Sequence, residues 1–196
     1  MAAKVPQDKS NGYEEIADRF MLARNPQIGP ATVREWSKTL PTGSSILDLG
    51  CGNGIPITQI LIEEGFAVYG IDASAKMIAA FRANFPHAHA ECAAVEGSAF
   101  FGRTFDGVVA WGLMFLLPPD IQTILIGKVA SVLNSGGKFL FTSPRDAFTW
   151  KDIQTGRECL SLGLEKYHDM LRAAGLVLVG EASDEGENYY YFVSKP

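Results

Sequence analysis

The feature that most constrains the fold is a regular alternation of strand-like and helix-like segments from residue 45 to residue 175. Short apolar runs such as Ser45–Gly50 and Ala67–Asp72 are each followed by a segment with the apolar spacing of a helix. Strands joined in this way run parallel through right-handed crossovers, with helices on both faces of the sheet. The last two predicted strands, Leu176–Glu181 and Asn188–Ser194, have no helix between them and must pair antiparallel. The sequence therefore predicts an α/β fold on a mostly parallel, doubly wound sheet.

The first part of the chain lacks this alternation. Residues 1–43 are predicted to be an N-terminal helical lid segment, and residues 44–196 the main domain. The alternative for the segment is a helix packed permanently on the edge of the sheet. The loop Leu113–Leu117 and the long insertion Ser143–Leu162 are expected to complete the lid. The apolar side chains assigned to the lid are those of Tyr13, Phe20, Met114, Phe115, Phe148 and Trp150.

Composition excludes several classes of function. The net charge is −5 and Lys and Arg are not clustered, so nucleic acid is not an expected partner. The chain has neither the ~20-residue apolar run of a membrane helix nor an apolar N-terminal leader, which predicts a cytoplasmic protein without a membrane partner. Its three cysteines lack metal-ligand or disulfide spacing, and no HExxH-type motif occurs, so no metal site is predicted.

The most informative residues follow the first predicted strand. Gly50, Gly52 and Gly54 give GxGxG rather than the GxGxxG of dinucleotide sites, and no P-loop lysine follows. The carboxylate of Asp48, just before them, would repel a pyrophosphate and suits a cationic ligand. Asp72 ends the second strand, where an acidic side chain can accept both hydroxyls of a ribose. A ribose, a positive charge and no phosphate together describe S-adenosylmethionine.

Four sequence motifs extend this interpretation to most of the chain. ILDLGCGNG, VYGID, FDGVVAWG and NSGGKFLFTSP resemble the class I S-adenosylmethionine-dependent methyltransferases over about residues 44–196. The resemblance implies a seven-stranded sheet in the order 3-2-1-4-5-7-6 with the last strand antiparallel. It also implies that the backbone of Gly50 and Gly52 meets the methionine end of the cofactor, that Asp48 helps to orient its ammonium, and that Asp72 binds its ribose. S-adenosylhomocysteine would be the product.

Alternatives stay open at several of these positions. Asp48 either contacts the ligand or holds loop amides, and Trp111 either faces the transfer site or packs in the core. Cys51 is interpreted as a small loop residue rather than a nucleophile. The segment Glu91–Glu96 departs from the acidic-then-small pattern of many relatives, and adenine is placed beside Ala93, Ala94 and Val95. The predicted cofactor-binding residues are Asp48, Gly50, Cys51, Gly52, Asp72, Ala73, Ala94, Val95 and Trp111.

The predicted activity is methyl transfer to a small-molecule acceptor. Such a displacement depends mainly on alignment and exclusion of water, so no catalytic base is assigned. Trp111 and Tyr13 are candidates for contact with the sulfonium or the substrate. The strings typical of nucleic-acid base methylation are missing, and a monomer or homodimer is expected. The alternatives are a non-catalytic S-adenosylmethionine-binding or regulatory protein and, less favoured, a nucleotide-cofactor oxidoreductase with a degenerate fingerprint.

Overall fold

A computed structural model describes residues 8–196, and these residues form six helices and nine strands. The helices are α1 (Tyr13–Ala23), α2 (Pro30–Ser37), α3 (Ile57–Glu63), α4 (Ala75–Asn84), α5 (Pro119–Val132) and α6 (Leu164–Ala173). The strands are β1 (Ser45–Leu49), β2 (Ala67–Asp72), β3 (His89–Cys92), β4 (Phe105–Ala110), β5 (Leu133–Thr142), β6 (Phe148–Lys151), β7 (Glu158–Ser161), β8 (Val177–Ser183) and β9 (Tyr189–Ser194). None of the helices in this range combines the length and the apolar character that a membrane crossing requires.

Seven strands form one sheet in the order β3-β2-β1-β4-β5-β9-β8. The pairs among β1 to β5 are parallel, whereas β9 runs antiparallel to both β5 and β8. Because β8 and β9 are the sixth and seventh strands of this sheet along the chain, the predicted order 3-2-1-4-5-7-6 is confirmed. The sheet order reverses direction at β1, which lies between β2 and β4.

Side-chain alternation along the central strands divides the core between the two faces. Phe139 and Phe141 of β5 belong to the cluster that includes α5 and α6 side chains. Leu140 points to the opposite face, where it joins Val33 and Trp36 of α2. Successive side chains of a strand point to opposite faces, so a strand between two layers of helices contributes to the core on both sides. The carboxyl ends of β1, β2 and β4 are thereby fixed side by side at one edge of the sheet.

Two segments differ from the sequence prediction. The insertion Ser143–Leu162 contains the antiparallel hairpin β6–β7, which the sequence analysis did not predict. β5 begins at Leu133 rather than Lys138, because Leu133 already pairs with Phe105 before the register shifts. The residues 134–137, predicted as a helix terminator, thus bulge within a strand, and Asn134 donates a hydrogen bond of 2.8 Å to Asp106.

The N-terminal segment is not uniform. Val33 and Trp36 of α2 are 0% and 5% exposed, so α2 is part of the core on one face of the sheet. In α1, by contrast, Ala17 is the buried residue. The stretch through α1 is therefore the part to which a lid prediction applies, and residues 1–7 of that stretch lie outside the described residues. The division at residues 43 and 44 stays a prediction.

Candidate functional site

A cavity of about 520 Å³ lies at the carboxyl edge of the sheet, where β1, β2, β3 and β4 end. Open α/β sheets bind ligands at such an edge, beside the strand where the order reverses. Its size falls within the ~300–1,000 Å³ typical of small-molecule sites. The sequence-predicted residues that line this central cavity are Tyr13, Asp48, Gly50, Cys51, Gly52, Asp72, Ala73, Ala93, Ala94, Val95 and Trp111.

The glycines in the loop after β1 are required for different structural reasons. All have positive φ, at 68° for Gly50, 56° for Gly52 and 83° for Gly54. A Cβ on Gly54 would lie 2.4 Å from the Phe85 ring, so this glycine is required by packing. A Cβ on Gly52 would meet only the Met77 sulfur, at 3.9 Å. Gly52 is therefore the glycine whose missing side chain leaves open space in the cavity wall.

Asp72 ties the glycine loop to the start of α4. One carboxylate oxygen accepts the Gly52 amide at 2.9 Å, and the other accepts the Ser74 amide at 2.8 Å. Burial raises the pKa of Asp72, while these two amide hydrogen bonds act in the opposite direction. Ser74, not Asp72, caps α4, because its hydroxyl oxygen accepts the Met77 amide. Each Asp72 oxygen keeps a second lone pair, so the carboxylate can still accept ligand hydroxyls.

Asp48 is 2% exposed and lies on the cavity wall. Its carboxylate accepts a 2.6 Å hydrogen bond from the Thr58 hydroxyl of α3, rather than from loop amides. Burial raises the pKa of Asp48 to about 7, although the Thr58 hydrogen bond and the charge of Arg24 act to lower it. A cationic group in the cavity would favour the ionised form of this carboxyl group.

The raised pKa of Asp48 predicts a pH-dependent effect on stability. Between its ordinary value of 3.8 and about 7, the folded protein holds a proton that the unfolded chain has released. The Asp48 contribution to the free energy of unfolding therefore falls as pH rises through this window. Asp48→Asn keeps an acceptor for Thr58 and removes the titration. In urea unfolding without ligand, we expect the free energy of unfolding of the variant to exceed that of the wild type by roughly 2 kcal/mol at about pH 8. This difference should shrink toward about pH 4.

Asp106→Asn provides a control of opposite sign. Burial acts to raise the pKa of Asp106, but hydrogen bonds from Ser45 and Asn134 outweigh it and lower the pKa. The ionised form is thus favoured by folding, and Asp106→Asn should reduce stability at neutral pH, with a loss that shrinks as pH falls. A stability difference for Asp48→Asn that does not change with pH would contradict the assigned pKa shift.

The Cys51 thiol packs inside the protein. It clusters with Ile78 and Phe81, and a Cβ on Gly70 would lie 2.8 Å from its sulfur. Burial, together with the charges of Asp48 and Asp72, raises the pKa of Cys51 well above its usual range. Because the thiolate is the nucleophilic form, this environment is the opposite of an activated cysteine.

Trp111 lies between the core and the cavity, and its contact with the transfer site stays a prediction. Its ring packs partly against the core cluster that contains α2, and it also lines the cavity. The indole Nε1 donates a 2.8 Å hydrogen bond to the Tyr190 hydroxyl, which in turn donates to Asp184 at 2.6 Å. Two hydrogen bonds therefore fix the plane that the indole presents to the cavity.

Tyr13 joins the N-terminal segment to the β6–β7 hairpin across the cavity. Its hydroxyl donates to Asp152 at 3.0 Å, and its ring meets Phe20 edge-on at 5.0 Å. Burial and Asp152 raise the pKa of Tyr13 well above its usual range. The phenol is therefore a hydrogen-bond donor at neutral pH, not a base.

The predicted lid side chains divide into two groups. Tyr13, Phe20 and Phe115 line the cavity. Met114 does not, because it is 0% exposed in the main core. Phe148 and Trp150 of β6 do not line the cavity, although the Trp150 ring lies 5.5 Å from that of Phe115.

Several polar residues that the sequence did not predict also line the cavity. Arg24, just after α1, places its guanidinium 4.6 Å from the Trp111 ring centre. Lys9 pairs with Glu96 at 2.9 Å, and Asn11 also lines the cavity. None belongs to a recognisable motif, and the spacing of these residues along the chain gives no signal for them. Within residues 8–196, no three His, Cys, Asp or Glu side chains are grouped as a metal site would require.

Comparison with known proteins places this site in context. Residues 46–137 match the family described as a methyltransferase domain. An uncharacterised methyltransferase of Synechocystis is 33% identical over 109 residues, which are 55% of this chain and 50% of that protein. The ubiquinone biosynthesis O-methyltransferase of Xanthomonas axonopodis is 26% identical over 186 residues, covering 87% and 77% of the two chains. The match thus spans about half the length of the first of these relatives.

Solved structures share the fold. The CcbJ methyltransferase of Streptomyces caelestis superposes with a TM-score of 0.75 at 16% identity, over 96% of this chain and 99% of that one. A Burkholderia thailandensis N1-methyltransferase, solved with 1,6-didemethyltoxoflavin and S-adenosylhomocysteine, gives 0.72 at 18% identity, over 100% and 94%. The family match over residues 46–137, the strand order and the glycine loop confirm the predicted resemblance to the class I, Rossmann-like S-adenosylmethionine-dependent methyltransferases.

Proposed function

We propose that this protein transfers a methyl group from S-adenosylmethionine to a small organic acceptor bound in the central cavity. The observation that carries the proposal is the meeting of Gly52, Asp72 and Asp48 on one cavity wall. These residues come from the loop after β1, the end of β2 and β1 itself. Gly52 offers open backbone that a ligand can approach. Asp72 offers acceptors for ribose hydroxyls, and Asp48 offers a negative charge for a cation.

The residues present fit this cofactor. S-adenosylmethionine supplies a methyl group already activated on a sulfonium, and S-adenosylhomocysteine is left. Asp72 would hold the ribose hydroxyls, and the open space at Gly52 would accept the amino-acid end. The apolar stretch Ala93–Val95 lies on the same wall and suits the face of an adenine ring. Asp48, with its raised pKa, would ionise fully beside an ammonium.

The residues around the cavity are suited to orient an acceptor and exclude water. α1 and the hairpin β6–β7 meet over the opening through Tyr13 and Asp152, and Arg19 adds a 3.0 Å hydrogen bond to the Gln154 carbonyl. Alignment of two reactants in such a site can supply ~7–11 kcal/mol of rate acceleration. No side chain is assigned as a base, since Tyr13 stays protonated and Cys51 is buried as the thiol.

A small acceptor is supported by the volume and the lining of the cavity. About 520 Å³ must accommodate both molecules, and rings of Phe20, Phe115 and Trp111 line it. The Burkholderia thailandensis 1,6-didemethyltoxoflavin-N1-methyltransferase, which shares the fold, binds 1,6-didemethyltoxoflavin together with S-adenosylhomocysteine. A cytoplasmic location, no nucleic-acid partner and a monomeric or homodimeric state remain predictions from the sequence.

The cofactor assignment predicts the effect of Asp72→Ala. We expect S-adenosylhomocysteine to bind more weakly by about 1.5–3 kcal/mol, the range for a hydrogen bond to a charged group. Asp72→Asn, which keeps one carbonyl acceptor for the Gly52 or Ser74 amide, should lose less. Asp169→Asn on the exposed side of α6 is the matched control and should bind as the wild type does. Unchanged calorimetric affinity in Asp72→Ala would exclude this residue from the ribose site.

A two-part experiment tests the function itself. Calorimetry with S-adenosylmethionine and with NADH separates a methyltransferase from an oxidoreductase, and we expect heat only with the first. A S-adenosylmethionine consumption assay against a panel of phenols, amines, thiols and carboxylic acids then identifies the acceptor. Binding without consumption across the panel would favour the non-catalytic, regulatory alternative.

A further inference from the structure

The ammonium group of Lys128 binds three backbone carbonyl groups at once. Lys128 belongs to α5. Its Nζ donates hydrogen bonds to the carbonyl oxygens of Val95 at 2.7 Å, Glu96 at 3.1 Å and Ser98 at 2.7 Å. The ring of Phe100 covers the same group, with its centre 4.4 Å from Nζ. An ammonium has three N–H donors and no acceptor, so the three carbonyl oxygens satisfy it completely.

Lys128 binds these neutral groups rather than a carboxylate. None of the ion pairs in the described part of the chain includes it. The nearby Glu96 carboxylate pairs with Lys9 at 2.9 Å, and the Glu91 carboxylate accepts the Ser98 hydroxyl at 2.8 Å. Hydrogen bonds from a charged donor are roughly twice as strong as neutral ones. The three carbonyl groups are therefore held more firmly than those of an ordinary turn.

The segment that carries these carbonyl groups has little other support. It follows β3, comprises residues 93–99 and is called the β3 loop below. The Ala94 carbonyl accepts the amides of Gly97 at 3.0 Å and Ser98 at 3.1 Å, which makes a single turn. Among the described residues, no backbone amide donates to the three carbonyl groups that Lys128 binds. Because a single turn is marginal in water, Lys128 supplies the stabilisation that the β3 loop lacks.

The β3 loop also forms part of the wall of the central cavity. The residues from Ala93 to Glu96 line that cavity, whereas no described residue of α5 does. In Val95 and Glu96, one residue thus contributes both to the cavity wall and to the carbonyl groups around Lys128. Because the peptide unit is planar, fixing the carbonyl groups also fixes the backbone that carries the wall. Lys128 therefore acts on the cavity through the β3 loop and not by contact with a ligand.

We propose that Lys128 is a positioning residue for the adenine base of the cofactor. Its ammonium group occupies a cation site made of three carbonyl groups, and it thereby sets the apolar stretch Ala93–Val95 against which the base would lie. The inference rests on the proposed function, because that function places adenine on this stretch. It adds that a side chain of α5, outside the cavity, controls how strongly the base is bound.

Two substitutions separate the charge of Lys128 from its geometry. Lys128→Met keeps a flexible apolar stem but has no donor, so the three carbonyl groups lose their partner. Lys128→Arg keeps the charge, but the donors of a planar guanidinium spread in a fork and cannot meet three carbonyl oxygens from one atom. Lys166→Met is the matched control, because it removes the charge of a lysine exposed on α6.

The measurement compares S-adenosylhomocysteine with S-ribosylhomocysteine, which lacks the base but keeps the ribose and the amino-acid end. The ratio of the two dissociation constants, from calorimetry, gives the contribution of the base to binding. We expect Lys128→Met to lose about tenfold in affinity for S-adenosylhomocysteine and less than about twofold for S-ribosylhomocysteine. The reason is that the wall for the base is loosened, while Asp72 and the glycine loop stay in place. Lys128→Arg should fall between wild type and Lys128→Met, and Lys166→Met should keep the wild-type ratio.

The outcomes separate this inference from the proposed function. Circular dichroism and thermal unfolding establish that each variant is folded, and Lys128→Arg carries the test if Lys128→Met does not fold. An equal loss of affinity for both ligands would indicate general loosening and would overturn the role of Lys128, as would an unchanged ratio. Wild type that binds both ligands equally would overturn the placement of adenine and this inference, but not cofactor binding. Wild type that binds no S-adenosylhomocysteine would overturn the proposed function itself.

Discussion

Gly52→Val is expected to abolish binding of S-adenosylmethionine and S-adenosylhomocysteine while the chain still folds. The backbone at Gly52 has φ 56°, in the left-handed region that a β-branched residue rarely adopts. Its Cβ would point into space where the first protein atom, the Met77 sulfur, is 3.9 Å away. The valine methyl groups would therefore occupy ligand volume, and any backbone shift that relieved the strain would break the 2.9 Å hydrogen bond to Asp72.

Gly175→Val is the matched control for strain without ligand contact. Gly175 has φ 76° just after α6, and an added Cβ there would meet nothing within 4 Å. Both variants should lose about 1–3 kcal/mol of stability from an unfavourable backbone conformation. Calorimetry should find normal affinity in Gly175→Val and none in Gly52→Val. A folded Gly52→Val protein that binds as the wild type does would show that the loop after β1 is not the cofactor site.

The sheet could be predicted from sequence because its strands are buried on both faces. Such strands are short apolar runs separated by helices, and this pattern leaves few topologies. The hairpin β6–β7 carries no such pattern, since three of the four β6 residues are exposed. Its available signal is the turn between the strands, where Thr155 precedes Gly156 at φ 68°. The early start of β5 was missed because a bulge at residues 134–137 looks like a helix terminator in sequence.

The residues of the site also divide into those that the sequence predicts and those that it does not. Residues set by the backbone of the loops that follow β1, β2 and β3 were predictable, because strand ends fix their position. Arg24 was not predictable, because a lone arginine after a helix gives no periodic signal. Its place in the cavity results from a tertiary contact, the stacking of its guanidinium on Trp111 just after β4. The pair of Tyr13 and Asp152 likewise joins residues 139 positions apart through the hairpin that sequence analysis missed.

The last prediction concerns the N-terminal lid, in which polar side chains attach α1 to the rest of the molecule. Glu14 of α1 accepts hydrogen bonds from the Ser74 hydroxyl at 2.6 Å and the Lys76 amide at 3.1 Å. At its other side α1 meets the hairpin through Tyr13 and Asp152. With Ala17 as its buried residue, α1 has little core packing to hold it when the cavity is empty. We therefore expect α1 to open without ligand and to close when S-adenosylhomocysteine fills the cavity beneath it.

Hydrogen exchange measures this directly. Amides of α1 should be weakly protected in the ligand-free protein and clearly protected with S-adenosylhomocysteine. α6, which buries Tyr167, Met170 and Leu171, is the internal control and should be protected equally in both states. Deletion of residues 1–24 should leave a folded domain, since α2 and the sheet keep their core contacts. Its turnover should fall by about a hundredfold or more, because water exclusion and acceptor alignment are lost together. Equal protection of α1 in both states would show that this helix is structural, and Tyr13 would then no longer be a candidate for substrate contact.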